Sequence, residues 1–319
     1  MIGEDRLPSK IRLIAAALAL TGSAFPAVAQ APKAAQADEI VVTAQRTGIP
    51  VWRVNSPTTT LVLIGSINGV AKTTRWDQAA LTQTLIKADR IMFPDTVGIT
   101  GSPFGLIGAA FKWRKQATLP SGQTLATLLP PAQFQRLIAL RNKGVLKAGF
   151  ERKHPLHLAL SLQDGVQDRI GLGQDADRVV RRAAKKHKLR TVPIRSFQAK
   201  QVLGDFFAIP PRAYLTCLMD SVRLVEAGPG AIKARSDAWA QRRVPEVLAS
   251  PAEPYHQSCT AAVSAALPRH DLHRQVRALL DQPAVTVAVL DLDSLATRDG
   301  LLDRFQAAGF DVRGPRWKS

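Results

Sequence analysis

Residues 59–69, TTLVLIGSING, carry the reading of the fold. Leu61 to Ile64 is an unbroken apolar run with no polar face. Such a run belongs to a strand covered on both sides, as in the interior of a parallel sheet. Gly65 to Gly69 ends it. A second run of this kind, VTVAVLDL at residues 285–292, is the strongest strand signal in the chain. Upstream of the first run, PVWRV at residues 50–54 is separated from it by Asn55-Ser56-Pro57, a turn signal, so the two segments read as a β-hairpin. Downstream, a helix is predicted from about Asp77 to Ala88, with Ala80, Leu81, Leu85 and Ala88 on one face. Arg90 to Phe93 is a short strand stopped by Pro94. Strand, helix and strand in that order make a βαβ unit.

The remaining segments extend this pattern. Phe104 to Arg141 reads as helical, broken at Leu119-Pro120-Ser121-Gly122, with Pro130-Pro131 at a helix start where proline is tolerated. Further helices are expected at 154–165 and 175–188, and a strand at Leu189–Ile194. Helices fill roughly 198–280, interrupted near Pro210-Pro211, Gly228-Pro229-Gly230 and Pro251 to Pro254. A helix from about Asp299 to Ala308 and a strand at Phe310–Val312 close the chain. The fold class is α/β: a central mixed, largely parallel sheet with βαβ units, flanked by many helices. No solenoid-type repeat is present.

The N-terminus reads as a targeting segment. Arg6, Lys10 and Arg12 precede the apolar run Leu13–Leu20, and Ala27-Val28-Ala29 is a small-x-small cleavage pattern. The run is far shorter than the roughly 20 residues that span a bilayer. Residues 1–29 are therefore expected to be a signal peptide, 30–48 a linker and 49–319 one α/β domain, with no transmembrane segment after cleavage. This predicts a periplasmic or secreted protein of a Gram-negative bacterium. Within the linker, EIVVTAQR at 39–46 resembles the Ton box of TonB-dependent receptors, yet no series of alternating barrel strands follows, so the string reads as a strand.

Lys and Arg outnumber Asp and Glu by 43 to 25, a formal net charge of +18. That balance favours anionic partners. For an exported protein these are envelope glycan or lipid rather than nucleic acid. The densest basic cluster, Arg181-Arg182-Ala183-Ala184-Lys185-Lys186-His187-Lys188, lies on a predicted helix and reads as a solvated face. The two cysteines, Cys217 and Cys259, are expected to form a disulfide in an oxidising compartment, worth about 4 kcal/mol in the chain-entropy view.

Several stretches, in order, resemble the TraB/GumN family, also called Tiki-like and related to the erythromycin-esterase/ChaN-like folds. PVWRVNSPTTTLVLIGSIN is similar to that family's Trp-Lys-Val, strand and Gly-x-x-His opening. ADRIMF resembles its Ala-Asp-x-hydrophobic run, and LATLLPPAQFQRL its Leu-Pro-x-x-hydrophobic helix. GLGQDADRVVRRAAKKHKLRTVPI resembles its Gly-x-Asp-x-x-Leu segment and the strand after it. VTVAVLDLDSLATRDGLLDRFQAAGFDV resembles its closing Gly-x-x-His, Gly-Leu-Leu and Gly-aromatic-x-Val pattern. The resemblance spans about residues 50–313. It implies a site in which two Gly-x-x-His motifs and acidic residues hold a divalent metal for hydrolysis, leaving a position open for water.

This chain departs from that site. The first motif is Gly65-Ser66-Ile67-Asn68, with asparagine at the histidine position. The second falls at Asp291-Leu292-Asp293-Ser294, with Ser294 or Asp293 at the histidine position and Asp291 at the glycine. Pro94, with Asp95 next to it, replaces one expected glutamate, and Arg195 another. Imidazole binds zinc or manganese well, whereas an amide carbonyl is a weak ligand. No cofactor is therefore expected, and the metal set is empty. A lesser alternative is an oxygen site for Ca²⁺ or Mg²⁺ from Asn68, Asp95, Asp291 and Asp293. Otherwise these side chains cap strand ends and accept backbone N–H groups. The crevice at the carboxyl ends of the strands remains the expected ligand site, and Arg195 would suit an anionic group there.

Other constellations carry less. His154/His157 and His270/His273 share helix faces at i, i+3 and are expected on solvated helix surface. No nucleophile elbow, Walker loop or complete dinucleotide fingerprint is present. Cys217 sits mid-helix beside Leu215 and Leu218, unsuited to nucleophilic work. The five tryptophans read as core or rim. These readings weigh against an enzyme. They favour a non-catalytic protein binding a ligand or partner in the former metal cleft. The alternatives are a residual Tiki-type (metallo)hydrolase or protease using Asp95, Asp291 and Asp293, and an envelope accessory protein binding anionic glycan or lipid.

Overall fold

The structure is a computed structural model that describes residues 33–56, 59–93, 117–193, 209–253, 258 and 272–318. Asp95, Arg195 and Cys259, with Pro94, Trp113, His270 and the expected signal peptide, lie outside these residues.

Six strands form one sheet: β1 (Val51–Asn55), β2 (Thr60–Ser66), β3 (Arg90–Phe93), β4 (Thr191–Pro193), β5 (Val285–Asp291) and β6 (Asp311–Arg313), in the order β4-β3-β5-β2-β1-β6. β4, β3, β5 and β2 run parallel, while β1 is antiparallel to both β2 and β6. Each strand read from the sequence between residues 50 and 313 is present. The two most apolar runs take the central places: β2 is buried at every position and β5 at all but its last. β5 is inserted between β2 and β3, so the two strands of the first βαβ unit are not neighbours.

Local capping fixes the crossovers. α2 (Gln78–Lys87) starts at Asp77, whose carboxylate accepts from Ala80 N at 2.8 Å. Its buried stripe is Ala80, Leu81, Thr84 and Leu85, of which the two leucines join the apolar core built on the sheet. Asp89, of the ADRIMF segment, then accepts from Val285 N at 2.7 Å and so pins the start of β5 beside β3. Buried Arg90 donates to Thr286 Oγ1 at 2.6 Å and to Leu279 O at 2.9 Å, locking the same edge.

Helices supply the rest. α3 (Leu125–Leu128), α4 (Pro131–Asn142), α5 (Pro155–Ile170), α7 (Leu215–Ala227) and the start of α8 (Pro229–Ala240) build a second apolar core around Leu137, Phe150, Leu162, Tyr214, Leu218 and Val222. α6 (Ala176–His187) lays Val179, Val180 and Ala183 on the sheet and leaves its basic face outward, as expected. α9 (Val244–Leu248), α10 (Leu272–Ala278), α11 (Leu292–Ala296) and α12 (Leu301–Ala307) complete the sheet's cover. Among the described residues, no helix is long and apolar enough to cross a membrane.

Two expectations are corrected. Residues 39–46 were expected to be a strand following a linker; Lys33–Gln45 is a helix, α1. Ala37, Ile40 and Ala44, spaced three and four apart, are fully buried against the sheet core. The helical spacing of these three outweighs the local β preference of Val41, Val42 and Thr43. The second correction concerns His154 and His157, which do not sit on a solvated surface. His154 precedes α5, stacks edge-on against Tyr214 with ring centroids 5.4 Å apart, and accepts from Leu156 N through Nδ1 at 3.3 Å. Burial, with His157 nearby, pushes its pKa down to about 4, which keeps the imidazole neutral and its lone pair available as a helix cap.

Candidate functional site

The parallel pair β2–β5 ends with Ser66 opposite Asp291. Beyond this last rung the chain leaves both strands at once, and the space between is the strand-end crevice expected of such a sheet. It is a small cavity of about 20 Å³, lined by Ser66, Asn68, Arg235, Glu253, Asp291 and Asp293. That is room for about one water molecule or one small polar group.

Gly65 is required by packing. A Cβ there would lie 2.6 Å from Leu292 Cδ1 and 3.1 Å from the Trp52 ring. Its carbonyl accepts from Trp239 Nε1 at 2.7 Å. Trp239 packs edge-on against Trp76 at 5.3 Å, and Trp76 donates to Gln174 O at 2.9 Å. Gly65→Ala is expected to cost about 1–3 kcal/mol through overpacking, read as a lower denaturant midpoint at unchanged slope.

The segment after Asn68 is strapped to α8. Arg235 Nη1 donates to Asn68 O at 2.9 Å, Ala71 N donates to Ser236 Oγ at 3.0 Å, and Thr74 Oγ1 to Asp237 Oδ1 at 2.8 Å. Arg235 Nε also meets Glu253 Oε2 at 2.5 Å, and both side chains are only 2% exposed. Burial pushes the Glu253 carboxyl up against the opposing pull of Arg235. On the other wall, burial and then the charge of Asp293 push Asp291 up to about 7; Asp177 and Glu253 add to this and Arg235 only partly offsets it. Asp293 turns one oxygen to Ser294 N at 2.8 Å, the local capping expected of a short acidic side chain.

The crevice therefore gathers Asn68, Asp291 and Asp293 of the residues named from sequence. Ser294 is exposed on α11 and does not line it, and Gly65 supports it from behind. Asn68 turns a backbone carbonyl, not its amide, to Arg235. Arg235 and Glu253 were not among the sequence candidates. A signal existed: Ile232, Arg235, Ser236 and Trp239 fall on one helical stripe, and all four are buried. An arginine inside an apolar stripe marks a buried, paired charge.

These donors do not fit a transition metal. The crevice lining contains no imidazole, and Glu253 is committed to Arg235. Among the described residues, no three His, Cys, Asp or Glu side chains come together as a ligand set. The guanidinium of Arg235 supplies instead the positive charge that the surrounding carboxylates require.

No curated protein and no solved structure matches this chain. A family model does, over residues 50–314, the span that holds the sheet, the crevice and Arg235. By that match the chain belongs to the TraB/PrgY/gumN family.

Proposed function

We propose that this chain is an exported, non-catalytic member of its family, and that its strand-end crevice binds one small polar group of a ligand or partner. One observation carries the reading. A buried arginine, paired with Glu253 and bonded to the Asn68 carbonyl, stands among the crevice carboxylates. Three carboxylates face a single guanidinium there, so the fixed charge is negative and suits a cationic or hydrogen-bond-donating group. The net charge of +18 acts elsewhere on the surface and favours anionic envelope glycan or lipid as the larger partner class. A periplasmic or secreted location, with Cys217 joined to Cys259, agrees with the N-terminal pattern and with an oxidising compartment.

A second reading, a residual hydrolase, draws on Asp291, whose carboxyl titrates near neutrality as a general acid or base should. The two separate by metal and activity measurements on the mature protein purified from an export-competent host. Exposure to Zn²⁺, Mn²⁺, Ca²⁺ and Mg²⁺ followed by desalting is expected to leave far less than one ion per chain. A chelator is expected not to change the melting temperature. A stoichiometric ion, with a hydrolysis that the chelator abolishes, would overturn the non-catalytic reading. The same sample tests export: its N-terminus is expected at Gln30 and its intact mass at that of the disulfide-linked form.

A further inference from the structure

A cavity remote in sequence from the crevice lies beside α5, with His157 among its lining residues. It has a volume of about 590 Å³, within the range of small-molecule sites. It opens between the turn that follows α4 and one face of α5. Its floor is apolar: Leu146, Phe150, Leu158 and Leu162 are all buried. Leu158 and Leu162 share one face of α5 at i, i+4, and Phe150 is held from behind by a stacked contact with Phe134 at 6.1 Å.

The rim is different. Lys143, Lys147, Lys153 and Arg169 line the opening, and among the described residues no Asp or Glu does. None of these four makes an ion pair with another described residue. Arg169 is held in place, because its Nε donates to Gly165 O at 2.9 Å. Gly165 is the point where the helix opens to the cavity: a Cβ there would meet nothing within 4 Å. The turn that brings the lysines over the opening depends on Gly144 and Gly149, at φ of +72° and +82°.

A cleft lined by one sign of charge concentrates counter-ions, and an apolar floor beneath it rewards a body that leaves water. We propose that this cavity binds a small amphipathic anion, a carboxylate or phosphate head at the Lys143, Lys147, Lys153 and Arg169 rim with an apolar tail over Phe150, Leu158 and Leu162. The inference is independent of the crevice, and its test touches no crevice residue.

Calorimetric titration of the full mature protein with laurate and with dodecyl phosphate, below their micellar concentrations, tests it. Saturable one-to-one binding of at least one is expected, and the preferred head group is the one that binds tighter. Inorganic phosphate is expected to bind at least tenfold more weakly, and dodecyl maltoside likewise. Lys147→Glu combined with Arg169→Glu is expected to weaken binding tenfold or more. Gly165→Leu is expected to abolish it while leaving the melting temperature equal or higher, since leucine is the better helix former and the space is open. Absence of saturable binding by either amphiphile overturns the proposal. So does equal binding of dodecyl maltoside, or indifference to both variants when their melting curves show folded protein.

Discussion

Arg235→Met is expected to lower the unfolding free energy by about 3–5 kcal/mol at pH 7. Methionine keeps much of the side-chain volume, so the loss is electrostatic rather than a cavity. Arg235 is the partner of Glu253 in a pair whose side chains are both 2% exposed. It also satisfies the Asn68 carbonyl at 2.9 Å. Removing it leaves a carboxylate in a site that already pushes its pKa up by burial. Glu253 must then ionise without a partner or hold a proton that the unfolded chain would release. The deficit is therefore expected to shrink as pH falls toward 4, where the proton costs nothing. Glu253→Leu added to Arg235→Met removes the stranded charge, and the double variant is expected to recover most of the loss. Urea unfolding of the three proteins at pH 7 and pH 4.5 reads both effects. A single variant within 1 kcal/mol of the parent at pH 7 would show that the pair is hydrated and does not lock the crevice.

How much of this was legible beforehand depends on where each signal sits. The sheet was legible because its two central strands are covered on both faces, which forces continuous apolar runs at Leu61–Ile64 and Val287–Leu290. The ends of those strands were legible too, so Asn68, Asp291 and Asp293 were named and do line one crevice. α1 was misread because Ile40-Val41-Val42-Thr43 has local β preference, while the buried stripe that makes it a helix needs Ala37 and Ala44, residues too small to stand out. Arg235 was missed for another reason. Its role rests on contacts with Asn68, 167 positions away, and with Glu253, which lies in a proline-flanked stretch without periodicity. Only its place in the Ile232–Trp239 stripe gave it away, and that stripe shows once the helix start at Pro229 is fixed.

Asp291→Asn is expected to stabilise the protein at pH 8 by about 2–4 kcal/mol and to leave it unchanged near pH 4. The folded carboxyl titrates at about 7 against an ordinary value of 3.8, with burial the main cause and Asp293 the next. Below the lower value both states are protonated and the group contributes nothing. Between the two, the unfolded chain ionises while the folded one keeps its proton, so stability falls as pH rises. Above 7 the folded carboxyl is ionised in an environment that disfavours it, and the full penalty stands. Asparagine imitates the protonated acid at every pH, so the gap between variant and parent should open from pH 4 to 7 and then level off. Thermal unfolding across that range measures it. A gap independent of pH, or a variant less stable at pH 8, would mean that the carboxylate is paid for by a contact the described residues do not provide. The same penalty gives Asp291 its use in the crevice. A cationic group that docks beside it relieves the strain of ionisation, so binding should strengthen as pH rises through 7. Such a ligand releases a proton at pH 6 and none at pH 8.5.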